Sequence, residues 1–277
     1  MNKKHTKMKT INKMKIFRIV VVLFTASIFL GCELGLQEEF EFKPELTITD
    51  SFKDITAWDF MNNFGLDSLR DVQTGELVLD PVTRARQIDG DSFDYMLAAI
   101  KKAGLEDLYQ QKATTNRTYF LLNNRAFLQG RSILRTVTGS NSTIIFEGFV
   151  GGIPILREGT AEEIMENVDT PAEMEKLKTI LMYHIVTEYV AQRPTLFLFG
   201  EWYVYQTLIP GQDGLIGLMR DEIDFINING RKRNPQYSPS PMPASAQVWD
   251  AQVYNHNYIF SNGIGHHLSE PVRNKPY

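Results

Sequence analysis

The chain has 277 residues, with 29 basic and 33 acidic side chains, a formal charge of −4 and a single cysteine. One cysteine excludes an internal disulfide framework, and the acidic balance argues against nucleic acid as a ligand. The length allows one elaborated domain or two small ones.

Residues 1–18 carry Lys3, Lys4, Lys7, Lys9, Lys13, Lys15 and Arg18 and no acid. An apolar run from Ile19 to Leu30 follows, broken by Thr25 and Ser27, and then Gly31-Cys32. A basic head, a short apolar segment and a small residue at the cut describe a secretory signal peptide. The run falls short of the ~20 residues a membrane-spanning helix needs. Phe29-Leu30-Gly31-Cys32 resembles a bacterial lipobox, which implies a lipoprotein signal peptide over residues 1–31 and lipid attachment at Cys32. Removing that segment takes away seven basic residues and no acid, leaving 22 against 33, a net charge of −11 over 246 residues. The expected membrane contact is therefore the anchor and not a basic face. Glu33, Glu38, Glu39 and Glu41 resemble the acidic tag that directs some Gram-negative lipoproteins to the outer face of the outer membrane, although an acidic linker kept for solubility gives the same pattern. The implied location is the outer membrane, lipid-anchored and exposed at the cell surface. Residues 32–53, acidic and with Pro44 near the middle, read as a tether.

The domain is expected over residues 54–277. Thr56 and Asp59 form a helix-start signal before Trp58, Met61 and Phe64, with Gly65 as the stop. Residues 66–90 read as a connection with a short strand at Glu76–Leu79. Asp91 or Ser92 is placed to cap a helix in which Phe93, Met96, Leu97 and Ile100 share one face, ending at Gly104-Leu105. Thr118–Leu122 reads as a strand, and Asn123 or Asn124 is placed to make an Asx turn or cap at its end. Ser142–Val150 contains a further strand. Thr160 with Glu163 and Thr170 with Glu173 are capping boxes, and Pro171 suits a first helical position. The second box opens a helix on which Met174, Leu177, Ile180, Leu181 and His184 fall on one face. This helix runs into the β-branched Tyr183-His184-Ile185-Val186. Strands are then expected at Thr195–Phe199, Glu201–Leu208, Gly214–Met219 and Glu222–Asn229, with turns at Gly200, Pro210-Gly211, Asp213-Gly214 and Asn229-Gly230. Residues 231–245 hold four prolines and read as loop. Gln247–Tyr254 alternates, and Asn262-Gly263 is a hairpin-turn signal.

Four of these stretches resemble motifs of the fasciclin-like domain. "FDYMLAAIKKAGLEDLY" is similar to its opening helix, followed by Asn124, Ala126 and Phe127 of its Asn-x-Ala-Phe motif. "LKTILMYHIV" is similar to its leucine-rich helix and Tyr-His strand. Asn262, Gly263, Ile264 and His266 match its last motif. Leu121-Leu122-Asn123 stands where the family has Ala-Pro-Thr, and the ending His267-Leu-Ser-Glu-Pro also departs. The motif core spans residues 91–268. The resemblance implies an α+β fold, a fasciclin-like β-wedge or sandwich with packed helices, elaborated here by insertions at 128–160 and 231–245. It also implies an adhesion or ligand-binding role without catalysis. Such lipoproteins accompany glycan-import transporters of the outer membrane, so a polysaccharide or a transporter protein is an implied partner.

The residues that carry chemistry are few. Tyr183-His184 matches a region tied to adhesion in some animal members, while a position on the helix's apolar stripe makes His184 a core histidine. Trp202, Tyr203, Tyr205 and Trp249, with Tyr254 and Tyr258, form a dense aromatic set of the kind that stacks on sugar rings, although the alternation of Trp202 and Val204 with Tyr203 and Tyr205 assigns one set to the core. His256, His266, His267 and Glu270 suggest a metal, but adjacent strand residues point to opposite faces, so no metal or other cofactor is expected. No nucleophile elbow, His-Glu-x-x-His or phosphate-cradling glycine loop occurs. The alternatives to a binding role are a structural subunit of a surface complex, which calls for a flat apolar patch, and a glycan-modifying enzyme, which calls for two carboxylates ~5–10 Å apart.

Overall fold

The structure is a computed structural model that describes residues 52–64, 92–221, 224–229, 251–253 and 255–272. All of these lie in the unit Leu46–Tyr277. Cys32, the tether, Glu76–Leu79, residues 231–245 and Trp249 fall outside the described residues. The described chain mixes helix and sheet, an arrangement compatible with the α+β class.

Helices α1 (Ala57–Phe64), α2 (Asp94–Ala103) and α3 (Glu106–Gln110) precede the first strand, β1 (Arg117–Leu122). Thr56 and Asp59 close a reciprocal box at the start of α1: the Asp59 amide donates to Thr56 Oγ1, and the Thr56 amide to Asp59 Oδ2, both at 3.1 Å. Gly104 ends α2 in the left-handed conformation, φ 65°, with the Leu105 amide reaching back to the Ile100 carbonyl. The start of α2 differs from expectation. Phe93 occupies the N-cap position without a side-chain cap, Asp91 falls outside the described residues, and Asn124 Oδ1 accepts from the Tyr95 amide, 29 residues away in sequence. The orphan N–H of a helix start is met by whichever acceptor the tertiary fold brings near.

After β1 come α4 (Asn124–Leu128), α5 (Ile133–Thr138), the hairpin β2 (Ile144–Val150) and β3 (Ile153–Glu158), α6 (Ala161–Met165) and α7 (Pro171–Tyr183). Both predicted capping boxes form, Thr160–Glu163 on α6 and Thr170–Glu173 on α7. Helix α7 buries Leu177, Ile180 and Leu181 and leads into β4 (Ile185–Val186). A short α8 (Gln192–Thr195) ends where a strand over Thr195–Phe199 was expected; beyond it the chain is irregular, and only Phe199 makes a strand-like bridge, to Arg220. Pro194 lies inside α8, where it suits the first turn of a helix. The remaining strands are β5 (Trp202–Gln206), β6 (Leu215–Arg220), β7 (Ile226–Ile228), β8 (Ala251–Val253), β9 (Asn255–Phe260) and β10 (Gly263–Leu268).

Besides the two-stranded β2–β3 hairpin there are two four-stranded sheets: one has the order β4-β1-β10-β9, with β1 and β10 parallel, and the other is antiparallel, β5-β6-β7-β8. Strand β4 joins them. It pairs with β1 on one side, and on the other the Thr187 amide donates to the Gln206 carbonyl and the Leu208 amide to that of Ile185. Tyr119, Phe120, Leu121 and Leu122 of β1 are fully buried, as befits a strand covered on both faces.

The hairpin β9–β10 turns at Ser261-Asn262, one residue before the expected Asn262-Gly263. Asn262 is withdrawn from the turn surface because its side chain is used three ways. Its Oδ1 accepts from the Ala57 amide, and its Nδ2 donates to the Tyr109 carbonyl and Tyr119 hydroxyl. Gly263 sits at φ 152°, where an added Cβ would lie 2.2 Å from the Arg117 carbonyl oxygen. Gly263→Ala is therefore expected to cost roughly 2–4 kcal/mol through overlap and backbone strain. Asn262→Ala should cost roughly 2–3 kcal/mol by leaving buried backbone groups unmet. Urea unfolding measures both, and a loss below ~0.5 kcal/mol for either would contradict the assigned packing.

Candidate functional site

Tyr183 and His184 form the corner where α7 meets the sheets, and both are fully buried. The Tyr183 hydroxyl donates to the Leu215 carbonyl at 2.8 Å and accepts from Asn229 Nδ2 at 2.9 Å. His184 uses both ring nitrogens. Nδ1–H donates to the Ile180 carbonyl at 2.7 Å, and Nε2 accepts from the Val272 amide at 2.9 Å. A carbonyl can only accept and an amide only donate, so the tautomer is fixed as Nδ1–H. Burial lowers the His184 pKa from 6.5 to about 4, against the raising effect of the Ile180 carbonyl. Neither side chain offers surface to a ligand.

His266 is occupied in the same way, and His267 is packed among aromatic rings. His266 is fully buried, with Nε2–H donating to the Val190 carbonyl and Nδ1 accepting from the Asn257 amide. Its pKa falls to about 3, chiefly through burial. His267 points to the opposite face of β10, where it stacks on Tyr258 at 4.2 Å and packs against Phe60 and Phe93; burial lowers it to about 4. Among the described residues no three His, Cys, Asp or Glu side chains converge as a metal site.

The aromatic strand β5 also turns inward. Tyr205 is buried, and burial first, then the charges of Glu188 and Tyr203, push its hydroxyl up to about 12. Tyr203, on the same face, packs against the core, and its hydroxyl accepts from the Leu198 amide at 3.2 Å. Trp202 is half-buried. The alternation thus assigns Tyr203 and Tyr205 to the core face, and Trp249 lies outside the described residues.

The exposed apolar surface lies just before this strand. Phe197, Leu198 and Phe199 are 72%, 51% and 56% exposed, and Tyr189 is 37% exposed. A contiguous run of exposed apolar side chains marks an interaction surface or an aggregation liability, and here the backbone beneath it is held. Arg220, only 7% exposed at the end of β6, holds it. Its Nε donates to the Leu196 carbonyl at 2.8 Å, a terminal nitrogen to that of Phe197 at 2.5 Å, and the other to Asp224 Oδ1 at 2.9 Å. The guanidinium also lies 3.9 Å over the Phe199 ring, a cation–π contact that covers one ring face. Asp224 pairs with Arg193 as well. Burial would raise the Asp224 carboxyl, but hydrogen bonds and charges from Arg193 and Arg220 outweigh it and hold it below the usual value. The sequence signals for this site were an arginine just past the apolar strand read at Gly214–Met219 and a Phe-Leu-Phe run between Pro194 and Gly200, the latter hidden inside a segment read as strand.

A cleft of about 480 Å³ opens elsewhere, lined by Arg125, Gln129, Gly130, Arg131, Ser269, Glu270 and Pro271. It has one carboxylate and no aromatic wall, so it is not the carboxylate pair that sugar cleavage requires. No model of a known protein family matches the chain, and no curated protein shows significant similarity to it.

Two outcomes follow from this geometry. Arg220→Lys keeps the charge but loses the planar fork, so it should destabilise the domain by roughly 2–3 kcal/mol and speed amide exchange at residues 197–200 by ~10-fold or more. Unchanged exchange there would rule out the clamp. The buried histidines bear on pH. The unfolded chain protonates them near 6.5, whereas in the folded protein their values lie at about 4, 3 and 4. Their contribution is complete above pH ~6.5 and is lost as pH falls from there toward ~4, because only the unfolded chain takes up the protons. Melting temperature should therefore fall by roughly 5–15 °C between pH 7 and 5, and by less in His267→Phe. Equal melting temperatures at the two pH values would contradict the buried neutral state.

Proposed function

We propose that the chain is a lipid-anchored surface protein whose folded domain is fasciclin-like and binds a ligand without catalysing a reaction. The order of elements supports the fold reading. An opening helix leads to β1 and Asn124, a leucine-rich helix ends in a Tyr-His corner, and the Asn262-Gly263 segment returns as β10 beside β1. The observation that carries the binding reading is the clamped Phe197–Phe199 loop. A buried, fully paired arginine is expensive to place, and here two of its contacts go to the backbone of an exposed aromatic loop and a third to the Phe199 ring. Exposed aromatic rings on a fixed backbone suit stacking against a sugar face, which points to a polysaccharide ligand. Leu198 between the rings also suits a protein face, and that favours the second reading, docking on a transporter or another subunit of a surface complex.

A glycan array and a pull-down with the soluble form that starts after Cys32 separate the two. Polysaccharide binding that weakens at least 10-fold in Phe197→Ala and Phe199→Ala supports the first reading. Co-purification of a membrane protein without glycan binding, lost in the same variants, supports the second. Binding untouched by either substitution would remove this loop as the site. For the anchor, Cys32→Ala should release the chain from the membrane fraction, and continued partitioning would refute lipidation.

A further inference from the structure

The hairpin β2–β3 carries apolar side chains on both of its faces. Phe146, Phe149 and Leu156 share one face, with the two phenylalanine rings edge-to-face at 5.0 Å. Val150, Ile153 and Ile155 share the other. Phe149, Val150 and Ile153 near the tip are 67%, 65% and 71% exposed. The tip is a two-residue turn, Gly151-Gly152, both at positive φ as the type I′ geometry requires. The nine residues from Gly148 to Leu156 contain no polar side chain.

Charge appears only at the base, and there it is tied down. Arg157 Nε donates to Glu147 at 2.5 Å, and its two terminal nitrogens donate to Glu163. Polarity is thus sorted along the hairpin axis and not between its faces. A protein partner covers one face and selects the alternating pattern of a half-buried sheet. A medium that covers both faces and the tip, and stops at a plane across the hairpin, selects the pattern seen. Pro154 supports the same occupant, since a strand edge that carries proline lacks an amide for pairing with a second copy. Acids outnumber the single arginine at the base, so the attraction is to acyl chain and not to anionic headgroups.

We propose that the β2–β3 hairpin dips into the acyl boundary of the phospholipid leaflet that holds the protein's own anchor. Three residues of β2 and four of β3 lie beyond the charged base, ~10–14 Å of hairpin, enough to cross the ~5–10 Å that interfacial segments bury. The unpaired outer backbone groups of the hairpin keep it at that boundary, because they have no partner in the hydrocarbon centre. The inference rests on the anchor reading for what keeps the domain near the leaflet: roughly 20 residues separate Cys32 from Phe52, a span of at most ~70 Å.

The test uses the full chain, isolated from membranes and reconstituted in phosphatidylcholine vesicles. A polarity-sensitive fluorophore is placed by Phe149→Cys or Ile153→Cys at the tip, and by Glu158→Cys at the base. These positions are exposed, so the substitutions leave the core intact. Lipids brominated on the acyl chain should quench the tip labels at least 5-fold more strongly than the base label, with little dependence on salt or anionic lipid. Equal quenching at tip and base, a water-exposed tip in the vesicle-bound chain, or cross-linking of the tip cysteines to a second copy or a co-purified protein would each overturn the proposal. The wild-type chain carries only Cys32 and separates the two readings. Labelling there sinks the anchor and leaves the tip-to-base comparison intact.

Discussion

The Tyr183–His184 corner is the constraint on which the described fold depends. A helix end leaves its last carbonyls without intrahelical partners, and here β4 starts after a single intervening residue, His184. The His184 ring resolves this by donating to the Ile180 carbonyl, while its other nitrogen takes the Val272 amide and its own carbonyl takes the Phe120 amide. Tyr183 extends the junction to Leu215 and Asn229 in the second sheet. Helix α7, both sheets and the end of β10's chain are therefore referenced to two side chains. Each hydrogen bond adds only ~1 kcal/mol net, but leaving any one buried group unmet costs more than that. The buried asparagines work the same way: Asn124, Asn257 and Asn262 each satisfy an amide at the start of a helix remote in sequence.

Such a junction consumes the residues that look most chemical. Three histidines and the tyrosines of β5 are spent on backbone groups and core packing, and two of those histidines have no ring nitrogen left to offer. Among the described residues, exposed apolar surface is concentrated in a loop clamped by Arg220 and a hairpin clamped by Arg157. Both clamps are arginines that leave an exposed apolar segment beyond them. This fits a rigid scaffold that presents loops, the usual division of labour in binding proteins.

Much of the fold was legible in local signals. The capping boxes at Thr160 and Thr170, the left-handed Gly104 and the helix-to-strand switch at Tyr183 all act within a few residues, so the chain alone specifies them. The start of α2 was not legible, because its cap comes from Asn124 across the fold. The β9–β10 turn shifted by one residue because Asn262 is recruited into the core and Gly263 must pass close to Arg117. The segment Thr195–Phe199 was read as strand from its aromatic composition, whereas only Phe199 makes a strand-like bridge. That error hid the exposed loop, and the aromatic signal was credited instead to β5, where Tyr203 and Tyr205 face inward. The second strand of the hairpin, Ile153–Glu158, was missed although Gly151-Gly152 marks its turn.

The central claim is that the Tyr-His corner is a junction and not a binding site. The most direct test is the ring ¹⁵N spectrum of His184 in the folded protein as pH is lowered from 8 to 5. The predicted result is a single neutral Nδ1–H tautomer across that range, with a ring proton that exchanges slowly with water. Titration near the ordinary value of 6.5, or rapid exchange of the ring proton, would contradict it and return the corner to the exposed surface.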